Sequence, residues 1–134
     1  MSILLSIKPC FVKLIRLGDK TVELRKKMRE DTNKIYVYES SPIQKVTGII
    51  IVKEIKKLPV DVLWKRTKNQ SCVSKEFFDE YFKNKKEGIG IFIKKFINIK
   101  PVSLKAINAS PPQNYLLLSK EQEYYLEKSR RTSP

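Results

Sequence analysis

Apolar and polar positions along this chain fall into short blocks with two different periods. Ile3 to Lys8 (ILLSIK) is a compact apolar run that predicts a strand. Pro9 follows where its missing N–H does no harm, in the first turn of a helix. Phe11, Leu14 and Ile15 then recur at helical spacing, and Gly18 is suited to end that helix. From Lys20 to Lys26 (KTVELRK) the period changes to two. A second strand is predicted there, with Thr21, Glu23 and Arg25 on one face and Val22 and Leu24 on the other. Arg29 to Asn33 is polar and reads as a loop. Ile35, Tyr36, Val37 and Tyr38 form a β-prone run closed by Ser40, Ser41 and Pro42. Lys45 to Leu58 is the longest β-like run, and Gly48 predicts a bulge or bend within it.

Pro59 opens a short helix with Val60, Leu63 and Trp64 inward. Ser74 is placed to cap a helix whose Phe77, Phe78, Tyr81 and Phe82 make one apolar stripe, and core packing is their expected role. Glu87 to Ile99 returns to strand, where Gly88 and Gly90 allow a bend or a close backbone approach. Val102 to Asn108 predicts one helical turn. Two prolines within Ser110 to Leu118 forbid a helix and leave a short strand. Ser119 with Gln122 is a capping-box pattern that predicts a helix over Lys120 to Lys128, and Ser129 to Pro134 are expected to fray. The order β-α-β-β-β-α-α-β-turn-β-α does not alternate, so a doubly wound parallel sheet is excluded. A small closed or nearly closed barrel with helices at its ends fits, and 134 residues suggest one domain.

Charge changes the picture most. Lys plus Arg is 28 and Asp plus Glu is 14, a net charge of +14. Such a field favours polyanionic partners, nucleic acid above all. The charge is spread along the chain, so a plain solvated lysine surface fits it as well. Histidine is absent, which removes the commonest general base and metal ligand. Cys10 and Cys72 alone do not make a zinc site, so no metal and no cofactor are expected. No run approaches the ~18 apolar residues of a membrane span. MSILLSIKP lacks the features of a secretory signal, so free thiols and a cytoplasmic setting are expected, with no membrane partner. Phosphate-loop, dinucleotide and zinc-protease motifs are all missing.

Two motifs carry a family resemblance. Ser6, Ile7, Lys8 and Pro9 (S-I-K-P) are followed by Gly18, Lys20, Glu23 and Arg25 (G-x-K-x-x-E-x-R). Together they resemble the N-terminal signature of the ASCH domain, a branch of the PUA-like superfamily. VYESSP, the segment from Leu63 to Lys85, and PPQNY resemble a stand-alone ASCH group described as predicted transcriptional regulators. The resemblance runs from about Ile3 to Leu118. Residues 1–118 are therefore expected to form the domain, and 119–134 a C-terminal helix and frayed tail. It implies an α+β fold: a PUA-like β-barrel of five to six mostly antiparallel strands, with short helices covering its ends and a cleft for RNA, nucleotides or related ligands. Carried over by motif, the cleft residues are Lys8, Lys20, Glu23, Arg25, Ser40, Ser41 and Gln113.

The chemistry of that set suits a nucleotide. Lys8, at a strand end, can meet a phosphate. Lys20 and Arg25 add cationic donors, arginine with a rigid fork. Glu23 can accept from a base amino group or hold a neighbouring cation. Ser40 and Ser41 fit a turn before Pro42 as well as a contact. Tyr36, Tyr38 and Tyr115 are available to stack bases. The expected function is a regulatory module that binds RNA, a nucleotide or a modified nucleoside, with DNA a further partner. The alternative is a small hydrolase. Some ASCH-like proteins are N4-acetylcytidine amidohydrolases with a Lys, Thr and Glu set, and others are ribonucleases. Lys20 matches that lysine, but Glu23 stands where the threonine is expected, a departure that favours binding. Lys20 and Glu23 remain the catalytic choices if the protein is an enzyme, and a metal-independent ribonuclease stays open. With the polar face of KTVELRK turned outward, Glu23→Gln is expected to weaken ligand binding and leave the fold intact. Oligomeric state is not fixed by the sequence, though Tyr124, Tyr125 and Leu126 offer a packing surface.

Overall fold

The two periods resolve into the predicted order of elements. The structure is a computed structural model and describes residues 1–130. It contains β1 (Ser2–Ile7), α1 (Pro9–Leu17), β2 (Val22–Arg25), β3 (Lys34–Glu39), β4 (Lys45–Pro59), α2 (Val60–Thr67), α3 (Lys75–Tyr81), β5 (Glu87–Val102), a 3-10 turn (Leu104–Ile107), β6 (Tyr115–Leu117) and α4 (Lys120–Glu127). The caps act as their residue types dictate. Gly18 ends α1 at φ +85°, Ser74 Oγ accepts from the Phe77 N–H, and Ser119 and Gln122 cap α4 reciprocally.

The strands form one mixed sheet in the order β2-β5-β4-β3-β1-β6. Only β1 and β3 run parallel; the other pairings are antiparallel. The expected α+β class and mostly antiparallel pairing hold, but the barrel is corrected to an open sheet. Closure would require β2 and β6 to pair, and the outer edge of β2 is occupied otherwise. There the Gln70 carbonyl, from the α2–α3 loop, accepts from the N–H groups of Thr21 (2.9 Å) and Val22 (3.2 Å).

Period-two alternation gives the sheet two buried faces. Ile3, Leu5 and Ile7 of β1 pack in one cluster with Ile35, Val37, Ile89 and Ile91, under Val12 and Ile15 of α1. Leu4, Tyr36 and Tyr38 point the other way, toward Leu104, Ile107 and Leu126. A third cluster joins Val22 and Leu24 to Leu63 of α2 and to Phe78 and Phe82. The glycines of β5 make this approach possible. A Cβ on Gly88 would lie 2.5 Å from the Phe82 ring and 2.9 Å from Leu63 Cδ2. The bulge expected at Gly48 is present, since the β3–β4 and β4–β5 registers both shift next to it.

The C-terminal segment is tied into this frame. Leu126 is fully buried, whereas Tyr124 and Tyr125 are exposed. Ser129 and Arg130, expected to fray, are held against β5: Lys100 N–H donates to Ser129 O at 2.8 Å, and Arg130 bridges Ile99. Arg131 to Pro134 lie outside the described residues. Cys10 and Cys72 are both free and exposed. No helix among the described residues is long and apolar enough to cross a membrane.

The docking of α4 carries a pH dependence. Burial pushes the Glu127 carboxyl up, but hydrogen bonds from Arg130 and Lys34 outweigh it and hold the group below its ordinary value of 4.5. A depressed carboxylate stabilises the fold above its unfolded value and ceases to do so as pH falls through the folded one. Wild type is therefore expected to be more stable than Glu127→Gln at neutral pH, and the gap between their melting temperatures should narrow as the pH falls below the ordinary value of 4.5 and close in stronger acid. A gap that persists unchanged into acid would show that the ion pairs to Glu127 contribute nothing.

Candidate functional site

Register decides which face of the second strand is covered. In β2, Glu23 lies opposite Ile91, Leu24 opposite Gly90 and Arg25 opposite Ile89. Opposed residues of an antiparallel pair share a face. Glu23 and Arg25 therefore share the side of the Ile89–Ile91 cluster, while Val22 and Leu24 pack beneath α2 and α3. Both faces of β2 are covered, and the polar face expected to look outward is turned inward. Glu23 is 4% exposed and Lys20 2%.

Buried charge must be partnered, and here it is. The Glu23 carboxylate sits between two cations. Lys20 Nζ is 3.4 Å from its Oε1, and Arg25 donates to Oε2 from Nε (3.1 Å) and Nη2 (2.7 Å). Each cation is also fixed by a backbone carbonyl. Lys20 donates to Ser71 O at 2.5 Å and Arg25 to Ser6 O at 2.8 Å. The Lys20 ammonium further lies 4.8 Å from the centre of the Phe11 ring. The helix cap aims Lys20 here: beyond Gly18, the Asp19 and Lys20 N–H groups both fold back onto Leu14 O, which turns the chain inward before β2 begins.

This triad floors a cavity of about 300 Å3 that opens to solvent. Of the residues predicted from sequence, Lys8, Lys20, Glu23, Arg25, Ser40 and Gln113 line it. Ser40 reaches it because its N–H donates to Ile7 O at 3.1 Å, beside the end of β1. Gln113 reaches it because β6 runs antiparallel to β1, with Tyr115 opposite Leu5. Ser41 is exposed in the turn and does not line the cavity.

The apolar wall is the part that sequence reasoning missed. Phe11, Val73, Phe77 and Tyr81 line the cavity, with Ser6 and Leu24. Phe77 and Tyr81 lie nearly parallel, 6.2 Å between centres, and Phe11 meets Phe77 edge-on at 6.0 Å. The stripe expected to be all core is thus split. Phe78 and Phe82 are buried, while Phe77 is 43% exposed. A signal was present: two aromatic i,i+4 pairs one residue apart span more of a helix than one core seam needs. Burial raises the Tyr81 hydroxyl pKa above its ordinary value of 10, Arg25 opposing in part, so Tyr81 is a neutral donor through the physiological range. Lys26 Nζ lies 4.9 Å over its ring. The stackers named from sequence are elsewhere: Tyr36 and Tyr38 are buried in the cluster on the other face, and Tyr115 packs against the first cluster.

The arrangement combines fixed cationic donors, a carboxylate and an aromatic wall around a space of about 300 Å3, the size of a small-molecule site. The family model described as the ASCH domain matches residues 5–108. An ASCH domain-containing ribonuclease of Zymomonas mobilis is 27% identical over 125 residues, covering 88% of this chain and 84% of that protein. The crystal structure of ASCH from Zymomonas mobilis superposes with a TM-score of 0.89 at 26% identity, over 97% of this chain and 96% of that one. An NMR structure from Rhodopseudomonas palustris shares the fold at a TM-score of 0.55 and 14% identity, over 96% of this chain and 91% of that one.

Proposed function

The chain belongs to the ASCH domain family, and we propose that it binds single-stranded RNA by taking one nucleotide into the cavity floored by Lys20, Glu23 and Arg25. The observation that carries this reading is the pairing of that cationic floor with an aromatic wall whose middle ring, Phe77, is exposed and belongs to none of the core clusters. A base stacked on an aromatic side chain gains about 1–3 kcal/mol whatever its identity. Lys8, exposed at the cavity mouth, and the guanidinium of Arg25 are the groups for a phosphate. Both Glu23 oxygens face cations, so its role in this reading is to hold Lys20 and Arg25 rather than to read a base.

RNA-related function is supported by the relative named as a ribonuclease. That name also favours a second reading, cleavage of the RNA at the same site. Cleavage without a metal needs a base for the 2′-hydroxyl and a donor for the departing 5′-oxygen. Glu23 and Lys20, 3.4 Å apart, are the groups of that chemistry within the cavity.

The test is fluorescence anisotropy of a short labelled RNA across a salt series, with DNA of the same sequence alongside. Binding should weaken steeply with salt, because phosphate contacts release counterions. No binding, or a flat salt response, overturns the reading. Phe77→Ala should weaken binding about tenfold to a hundredfold, the value of one lost stack. Its melting temperature should barely move, because the side chain is half outside the core. The same samples run on a gel separate binding from cleavage, and N4-acetylcytidine run in parallel tests the amidohydrolase chemistry.

A further inference from the structure

β1 and β6 lay out a second basic cleft in line with the first. Gln113, just before β6, lies at the Ile7 end of β1 and lines the Glu23 cavity. Leu118, just after β6, lies at the other end, where its N–H donates to Ser2 O at 3.3 Å. There it lines a wider cleft of about 610 Å3, together with Lys34, Lys94, Lys120 and Glu123. The carboxylate is already engaged, accepting from Ser2 Oγ at 2.9 Å with Lys34 3.9 Å away. Lys34 is drawn to Glu127 as well, at 3.2 Å. Lys94 and Lys120 are exposed, and neither takes part in an ion pair among the described residues. Between the clefts β6 is an edge strand, and no further strand among the described residues covers it.

We propose that an RNA strand with one nucleotide in the Glu23 cavity continues along the β6 edge and is held at the far end by Lys94 and Lys120 through its phosphates. This rests on the RNA-binding reading above and adds to it a path, a direction across the sheet and a ligand length. The six residues of β1, at about 3.3 Å each, set the clefts about 20 Å apart. A stacked strand rising about 3.4 Å per nucleotide covers that distance in about six nucleotides. A shorter oligomer reaches one cleft only. A longer one gains the second contact intramolecularly, at a high effective concentration.

The experiment compares oligouridines of about three and about ten nucleotides, lengths on either side of that span. Three proteins are titrated: wild type, the Lys94→Glu/Lys120→Glu double variant, and Lys65→Glu/Lys68→Glu, which changes net charge equally but lies at α2, away from both clefts. In wild type the longer oligomer should bind about tenfold tighter or more. The Lys94→Glu/Lys120→Glu protein should bind the short oligomer as wild type does and lose the gain with length. Its salt slope for the long oligomer should fall by about 1.4, two contacts at about 0.7 each. The Lys65→Glu/Lys68→Glu protein should keep the gain. A gain that survives in the first double variant, is absent in wild type, or is lost equally in the second overturns the path. The short oligomer reports on the cavity alone, so its failure to bind wild type is a separate result that removes the RNA-binding reading itself.

Discussion

Replacing Glu23 by glutamine is expected to lower the melting temperature by about 10 °C or more, because breaking a buried ion pair costs about 3–5 kcal/mol. The geometry explains why glutamine is no mild change here. Glu23 is the counter-charge of both Lys20 and Arg25, whose side chains are 1% and 15% exposed. An amide of the same shape leaves two desolvated cations facing each other across a neutral group. Lys20→Met is expected to cost less, since Glu23 keeps two hydrogen bonds from Arg25 at Oε2, while the Ser71 carbonyl loses its donor and Oε1 its neighbouring ammonium. The order of the two melting temperatures is the measurement. If Glu23→Gln melts within a degree or two of wild type, the triad does not carry the charge balance described, and Glu23 returns to being a ligand group on a tolerant surface.

That expectation reverses the one drawn from the alternation of KTVELRK, and the reason is physical. A period of two shows that Glu23 and Arg25 share a face, and they do. It does not show which face meets water, because that depends on the partner strand and on what lies beyond it. Here Gly88 and Gly90 of β5 let α2 and α3 close over Val22 and Leu24, so the strand is covered on the apolar side. The register with Ile89 and Ile91 turns the polar side toward the other cluster. Lys8, Lys20, Glu23 and Arg25, named by motif, line one cavity because their positions are set by short-range features: a strand end, a glycine cap and strand alternation. Phe77 and Tyr81 come to that cavity through the packing of α3 on β5, a contact between segments that no local pattern encodes. The same limit applies to closure. Element order is compatible with a barrel or an open sheet, and the choice is made at the edge of β2, where a single carbonyl from the α2–α3 loop takes the place a strand would need.

Arg25→Ala is expected to weaken RNA binding about a hundredfold while leaving the fold largely intact, since hydrogen bonds to a charged group contribute about 1.5–3 kcal/mol. It differs from Glu23→Gln in what it leaves behind. Lys20 and Glu23 remain as an oppositely charged pair, so no charge is stranded, and the two groups that lose their donors, Glu23 Oε2 and the Ser6 carbonyl, line or adjoin a cavity open to water. The loss should therefore appear chiefly in affinity, with a smaller fall in melting temperature than Glu23→Gln shows. Arg25→Lys separates charge from shape. Lysine keeps the positive charge but cannot hold Glu23, Ser6 O and a phosphate at once, because it lacks the planar fork. Its salt slope should match wild type with affinity lower by about tenfold, whereas the alanine variant should lose about 0.7 from the slope, the share of one phosphate on a single strand. Should Arg25→Ala bind RNA with the wild-type affinity and slope, Arg25 serves only to neutralise Glu23. The phosphate contact then falls to Lys8, and Lys8→Ala must show the loss in its place.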